Sequence, residues 1–250
     1  MQSATQLIQA REPTVGRPDV PPTDEQVIEN AQKLIAHIRD RHITFCAGSR
    51  KLEHLLKALM FCRRSIPEGL YMEAGVAMGG SAMLIAITKP AEATLKLYDV
   101  FDLLPAPGSE DGAKAHAVYE QFRQGRMRDA TSVNYQNAAT DLLSVVRQNM
   151  AEFGIDAAAS RIEFFPGLFE DTLHVSGPVA FCHVDCDWYE SAKCCIQRIS
   201  DHVVLNGLVM FDDYHSFEGC QKAVDQWLAS DDRYRMVSKG WSVAVQRIKP

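Results

Sequence analysis

The chain has 250 residues, 46% apolar and 23% charged, a globular composition that excludes a disordered or collagen-like protein and fits one core with an appended segment. Lys and Arg number 26 against 32 Asp and Glu, and the net charge of −6 disfavours a nucleic-acid-binding surface. Neither of the longest uncharged stretches, 74–88 and 172–184, offers the roughly 20 apolar residues a membrane-crossing helix needs.

The first residues lack a basic segment followed by an apolar one, so no secretory signal is expected. Pro13, Gly16, Pro18, Pro21 and Pro22 mark residues 1–22 as a loose leader. Thr23 then opens a helix. Thr23 and Gln26 have the spacing of a capping box, and Val27, Ala31, Leu34, Ile35 and Ile38 fall on one face. A second helix is predicted over 50–62, with Leu52, Leu55, Leu56 and Leu59 on one side, ending before the turn at Pro67 and Gly69. Segment 23–69 therefore reads as a helical lid or an oligomer contact, with a homodimer favoured, because its apolar face needs a covering surface.

From residue 70 to residue 250 the pattern changes. β-prone runs at 70–75, 94–100, 162–165, 179–185 and 207–212 alternate with helical runs at 79–88, 113–124, 141–153, 189–199 and 219–229. Such alternation predicts an α/β fold with a parallel sheet covered on both faces. The tail reads as two short strands around Lys239 and Gly240, a hairpin at the sheet edge. The seven cysteines, Cys46, Cys62, Cys182, Cys186, Cys194, Cys195 and Cys220, form no Cys-x-x-Cys pair and read as small core residues of a reduced, cytoplasmic protein.

The first strand runs into Gly75, Gly79, Gly80 and Ser81 at the start of a helix. Glycines there let the backbone turn sharply and approach a ligand, and a helix N-terminus presents free N–H groups. The second strand ends in Asp99, 24 residues after Gly75, where a nucleotide-binding βαβ unit holds ribose hydroxyls. Glu73 beside the turn would repel a pyrophosphate and welcome a cation. It tilts the ligand from NAD toward S-adenosylmethionine, which carries an amino group and a sulfonium.

The fourth and fifth strand ends, HVDCDWYES and FDDYHS, carry Asp185, Asp187, Asp212 and Asp213. If these strands are neighbours, four carboxylates meet and repel unless protonated or bound to a cation. Oxygen ligands alone suit Mg²⁺, or its relatives Mn²⁺ and Ca²⁺. Strand alternation would point Asp185 and Asp187 the same way and set His183 opposite Cys182 and Cys186, which argues against zinc. His215 is a second candidate base, as histidine suits neutral pH; His183 reads as a satisfied strand residue.

With these residues in view, the sequence resembles the macrocin, mycinamicin and novobiocin class of O-methyltransferases. The matching segments are ITFCAGSRKLEHL, YMEAGVAMGGSAM, LYDVFDLLPAPGSEDG, FFPGLFEDTL, HVDCDWYES and FDDYHSFEGCQKAVDQW, most of the chain. The resemblance implies a class I methyltransferase (Rossmann-like) sheet of seven strands, the last antiparallel, using S-adenosylmethionine and Mg²⁺. It implies that Asp185, Asp212 and Asp213 hold the metal and that Asp187 is the general base. Glu73, Gly75, Ser81 and Asp99 would hold the cofactor, with Phe165, Gly167 and Phe169 near the adenine and Thr44 approaching from the N-terminal side. The implied acceptor is a hydroxyl, of a sugar or a phenol, on a glycosylated natural product. Two departures stand out. The stretch RMRDATSVNYQNAATD, expected to border the acceptor, keeps only Tyr135 of the family pattern. The catechol-methylating relatives place a lysine just after the fourth-strand acid, where this chain has Cys186-Asp187-Trp188, with Lys193 too far along. A nicotinamide-dependent oxidoreductase or a non-catalytic nucleoside-binding module would leave the two acidic strand ends unexplained.

Overall fold

A computed structural model describes residues 21–44, 49–138 and 141–250. Cys46 and nearly all of the predicted leader lie outside these residues. Two helices, α1 (Asp24–Arg41) and α2 (Ser49–Ser65), precede the first strand. Helix α1 starts with the predicted capping box: Thr23 Oγ1 accepts the Gln26 N–H at 3.3 Å, and Gln26 Oε1 accepts the Thr23 N–H at 2.9 Å. Arg63 and Arg64 of α2 both bond Asp24, tying the two helices together.

Seven strands follow: β1 (Leu70–Ala74), β2 (Leu95–Asp99), β3 (Ile162–Pro166), β4 (Val179–Val184), β5 (Val203–Phe211), β6 (Tyr234–Lys239) and β7 (Val243–Arg247). The sheet order is β3-β2-β1-β4-β5-β7-β6. The first five strands pair parallel, and β7 pairs antiparallel to both β5 and β6. The predicted terminal hairpin thus inserts its second strand into the sheet and leaves β6 outermost.

The connecting helices are α3 (Gly80–Thr88), α4 (Ala113–Arg123), α5 (Ala130–Ala138), α6 (Leu142–Glu152), the single turn α7 (Phe169–Thr172), α8 (Tyr189–Ile199) and α9 (Glu218–Ser230). One apolar core joins α1, α2, α3 and α6 to one face of the sheet. A second joins α8 and α9 to the other face. The apolar face of α1 is fully used: Ala31, Leu34 and Ile38 have no exposed surface and lie with α3 in the first core. Its covering surface is therefore in the same chain. No helix among the described residues is long and apolar enough to cross a membrane.

Two local differences from the sequence expectation have physical causes. Strand β5 begins at Val203, four residues before the predicted start. Asn206 and Gly207 resemble a turn, but Asn206 has φ 70° and the pairing with β4 jumps between Val179 and Phe181, so the pair is a bulge inside the strand. Helix α5 was not predicted. It has no apolar stripe, buries only Thr131, Ser132 and Tyr135, and depends on Asp129, whose carboxylate takes the Ser132 N–H at 2.9 Å and its hydroxyl at 2.6 Å.

Candidate active site

The strand order reverses between β1 and β4, and the open end of the sheet there is where ligands of such folds bind. A cavity of about 650 Å³ occupies this position. Its wall is built from β-strand ends. Gly75 follows β1, Asp99 ends β2, Gly167 follows β3, Asp185 and Asp187 follow β4, and Asp212 and Asp213 follow β5.

The glycine turn after β1 is braced by Asp99. Its Oδ2 accepts the Val76 and Ala77 N–H groups at 2.6 and 3.0 Å, and its Oδ1 accepts the Phe101 N–H at 2.7 Å. Burial pushes the Asp99 carboxyl above its usual range, and these backbone bonds oppose the rise. Sequence reading gave Asp99 to a ribose; the structure adds that it fixes the shape of the turn. Gly75 is required there for two reasons. It has φ +89°, and a Cβ would stand 1.8 Å from the Asp185 carbonyl oxygen. Gly75→Ala should therefore destabilise the fold by at least about 2 kcal/mol, read as a lower denaturant midpoint.

Strands β4 and β5 are neighbours, with Val184 opposite Phe211, so the two acidic ends do meet. One carboxylate oxygen from each of Asp185, Asp212 and Asp213 lies within 4.8 Å of the others. Asp187 shares the cavity, but not by strand alternation. Strand β4 ends at Val184, and Asp187 has a left-handed backbone, φ 61°, held by its N–H bond to Asp213 Oδ2 at 3.1 Å. Burial, and then mutual repulsion, push the carboxyls of Asp185, Asp187 and Asp213 upward. A cation is present in the cluster: Lys51 of α2 places Nζ 2.5 Å from Asp212 Oδ2. Its charge acts against the upward shift of all three carboxyls. Lys193, by contrast, pairs with Glu190 on the surface. A lysine thus does reach the acids, from an element the strand-end motif does not contain.

These raised carboxyls have a thermodynamic sign. The folded chain holds their protons more tightly than the unfolded chain, whose aspartates titrate near about 3.9. Stability contributed by the neutral forms is complete below that value and is lost as pH rises toward the folded values. The melting temperature in EDTA should fall below that in Mg²⁺ by a gap that widens as pH rises above about 4, where unfolded aspartates titrate. A gap constant across that range, read by calorimetry, would remove the electrostatic account of the cluster.

Several sequence-predicted residues stand behind the wall rather than on it. Glu73 has no exposed surface; its Oε1 bonds His183 Nδ1 at 2.8 Å, and its Oε2 has no hydrogen-bond partner among the described residues. Burial raises the Glu73 carboxyl and the His183 contact opposes it. For His183, burial works toward the neutral ring, but the Glu73 hydrogen bond and the charges of Glu73, Asp212 and Asp213 outweigh it and raise the pKa. Ser81 is buried in the first turn of α3, and Thr44 packs against Gly80. Phe165 stacks on Tyr98 at 4.7 Å. His215 is exposed beside Tyr214, away from the cavity wall, so the structure does not bring it to the acids. Cys182, Cys186, Cys195 and Cys220 are free thiols buried in the second core, and Cys186 also lines the cavity between Asp185 and Asp187.

The remaining wall was not legible from motifs. Asp111 accepts the Tyr189 N–H at 2.8 Å, capping α8, which has no side-chain cap of its own, and accepts the Gly108 N–H at 2.9 Å. Trp188 donates Nε1–H to the Pro105 carbonyl at 2.8 Å and meets Phe217 edge-on at 5.0 Å. From the stretch that departs from the family pattern, Met127, Asp129, Thr131, Ser132 and Tyr135 all line the cavity. The Tyr135 hydroxyl donates to the Asp102 carbonyl at 2.9 Å.

Residues 41–235 match the sequence profile of macrocin O-methyltransferase (TylF). The chain belongs to the macrocin O-methyltransferase family. A relative from Streptomyces olivaceus, 8-demethyl-8-(2,3-dimethoxy-alpha-L-rhamnosyl)-tetracenomycin-C 4'-O-methyltransferase, is 27% identical over 186 residues. The match covers 72% of this chain and 66% of that relative, just under two thirds of its length. The solved structure of the O-methyltransferase NovP superimposes with a TM-score of 0.67 at 20% identity, covering 89% of this chain and 98% of that one. The SAH-bound methyltransferase of Podospora anserina gives a TM-score of 0.54 at 15% identity, covering 92% and 99%. This macrocin O-methyltransferase family member thus has the class I methyltransferase fold that its sequence resemblance implies, with the seven-stranded sheet and the antiparallel β7.

Proposed function

We propose that the protein transfers a methyl group from S-adenosylmethionine to a sugar hydroxyl of a glycosylated natural product, with a divalent cation, Mg²⁺ first among candidates, at Asp185, Asp212 and Asp213. The observation that carries this reading is the convergence of three carboxylates on a cavity that the glycine turn and Asp99 also line. The family, the rhamnosyl acceptor named for the S. olivaceus relative and the SAH of the P. anserina structure support acceptor and cofactor.

The residues present fit both groups. Three carboxylates with no sulfur or nitrogen ligand suit a hard dication. For the cofactor, the cavity wall offers acids and apolar side chains and two lysines. Lys51 is engaged by Asp212, and Lys114 donates to the Ser216 carbonyl. Such a wall suits a phosphate-free nucleoside bearing positive charge better than a dinucleotide. When bound, S-adenosylmethionine supplies an electrophilic methyl group and the cation lowers the pKa of a neighbouring hydroxyl.

The rest falls to the chain. Asp187 accepts the hydroxyl proton. Burial and its acidic neighbours make it a stronger base than a free aspartate. The turn at Gly75, with Gly167 and Phe169, orients the cofactor. Trp188, Phe217, Phe122 and Met127 exclude water and hold the acceptor, and much of the acceleration comes from that positioning. Titration calorimetry with S-adenosylmethionine and with NAD tests the cofactor: binding of the first alone is expected, and tighter NAD binding would sink the reading. Mass spectrometry of rhamnosylated and phenolic acceptors then tests the acceptor, with methyl gain on the sugar expected.

A further inference from the structure

Asp212 is held on both sides. Its Oδ1 accepts the Ser242 hydroxyl at 2.9 Å, and its Oδ2 lies 2.5 Å from Lys51 Nζ. Lys51 belongs to α2, yet only 17% of its side chain is exposed. Withdrawing an ammonium from water is costly unless it is paired. Here it meets Asp212 on the same cavity wall as Asp185, Asp187 and Asp213. Four carboxylates at adjacent strand ends carry more negative charge than they can hold together without a cation.

We propose that Lys51 is a tethered counter-cation that competes with the divalent metal at Asp212. The inference rests on the metal reading above. A dication bound by Asp185, Asp212 and Asp213 and the Lys51 ammonium both need Asp212. If the ammonium yields Oδ2, the broken ion pair subtracts from metal binding. If it stays, a positive charge lies close to the dication and repels it. Both routes lower the affinity, so Lys51 sets the metal concentration at which the site fills. Before loading, it keeps the cluster compensated. A purely structural ion pair behaves differently, because its loss would destabilise the protein equally with and without metal.

The probe is Mn²⁺, followed by electron spin resonance of the free ion, with the full chain and no cofactor or acceptor. Lys51→Met should bind Mn²⁺ at least about tenfold more tightly than the unsubstituted protein. It should also melt lower in EDTA and recover in Mn²⁺. Lys51→Arg, which keeps the charge, should bind Mn²⁺ as the unsubstituted protein does. Should Lys51→Met fold only with metal, the rate at which EDTA strips Mn²⁺ from loaded protein gives the same comparison, with slower release expected. Equal or weaker binding by Lys51→Met, or equal tightening by Lys51→Arg, would overturn the proposal. Absence of Mn²⁺ uptake by all three proteins would overturn the metal reading instead.

Discussion

Asp187→Asn should lower the rate of methyl transfer by about two to four orders of magnitude while keeping S-adenosylmethionine affinity and the native fold. The position makes this a clean substitution. Asp187 has a left-handed backbone, and asparagine is among the few residues that adopt it readily. The backbone N–H that bonds Asp213 is kept. Only the proton-accepting carboxylate is lost. An ordinary aspartate is a weak base for an alcohol, but burial and its acidic neighbours raise this one, and a bound cation would reverse part of that rise. Single-turnover rates with saturating cofactor give the measurement. A rate within about tenfold of the unsubstituted protein would take the base assignment away from Asp187.

Asp99→Ala should have the largest effect on the cofactor. It leaves the N–H groups of Val76, Ala77 and Phe101 without their acceptor, and each unpaired buried donor costs about 1–3 kcal/mol. Loss of about 3 kcal/mol of stability and of at least about a hundredfold in S-adenosylmethionine affinity is expected. Asp99→Asn should fall between, since the amide offers one acceptor oxygen and turns its NH₂ toward a donor. The pair of variants separates two roles. If Asp99→Asn kept the stability but lost the cofactor, the carboxylate would serve the ribose more than the turn. Chemical denaturation and titration calorimetry on the same samples read both quantities.

What could be read from the sequence follows the range of the forces involved. The capping box of α1 and the apolar face from Val27 to Ile38 are local, and both formed as their spacing predicts. The strand ends with Asp99, Asp185 and Asp212 were visible because β-prone runs stop at acids. That β4 and β5 are neighbours was an assumption in the sequence, and the sheet order supplies it. Contacts over long separations were not visible. Lys51 and Asp212 are 161 residues apart, and the lysine looks like any charged residue on an amphipathic helix. Asp111 likewise resembles a loop aspartate until the α8 N-terminus reaches it. Strand alternation was carried past the end of β4 at Val184 to Asp187, where the backbone has already turned left-handed. Helix α5 carries no apolar period and depends on a single aspartate cap, so its pattern gave no sign of it.

The acidic strand ends are proposed to serve methyl transfer through a divalent cation. The most direct measurement follows methyl transfer from isotopically labelled S-adenosylmethionine to a rhamnosylated polyketide, first in EDTA and then after addition of Mg²⁺. Label is expected in the sugar with Mg²⁺, lower by at least about a hundredfold in EDTA, with full recovery when Mg²⁺ is restored. Undiminished transfer by the EDTA-treated, metal-free protein would contradict that role.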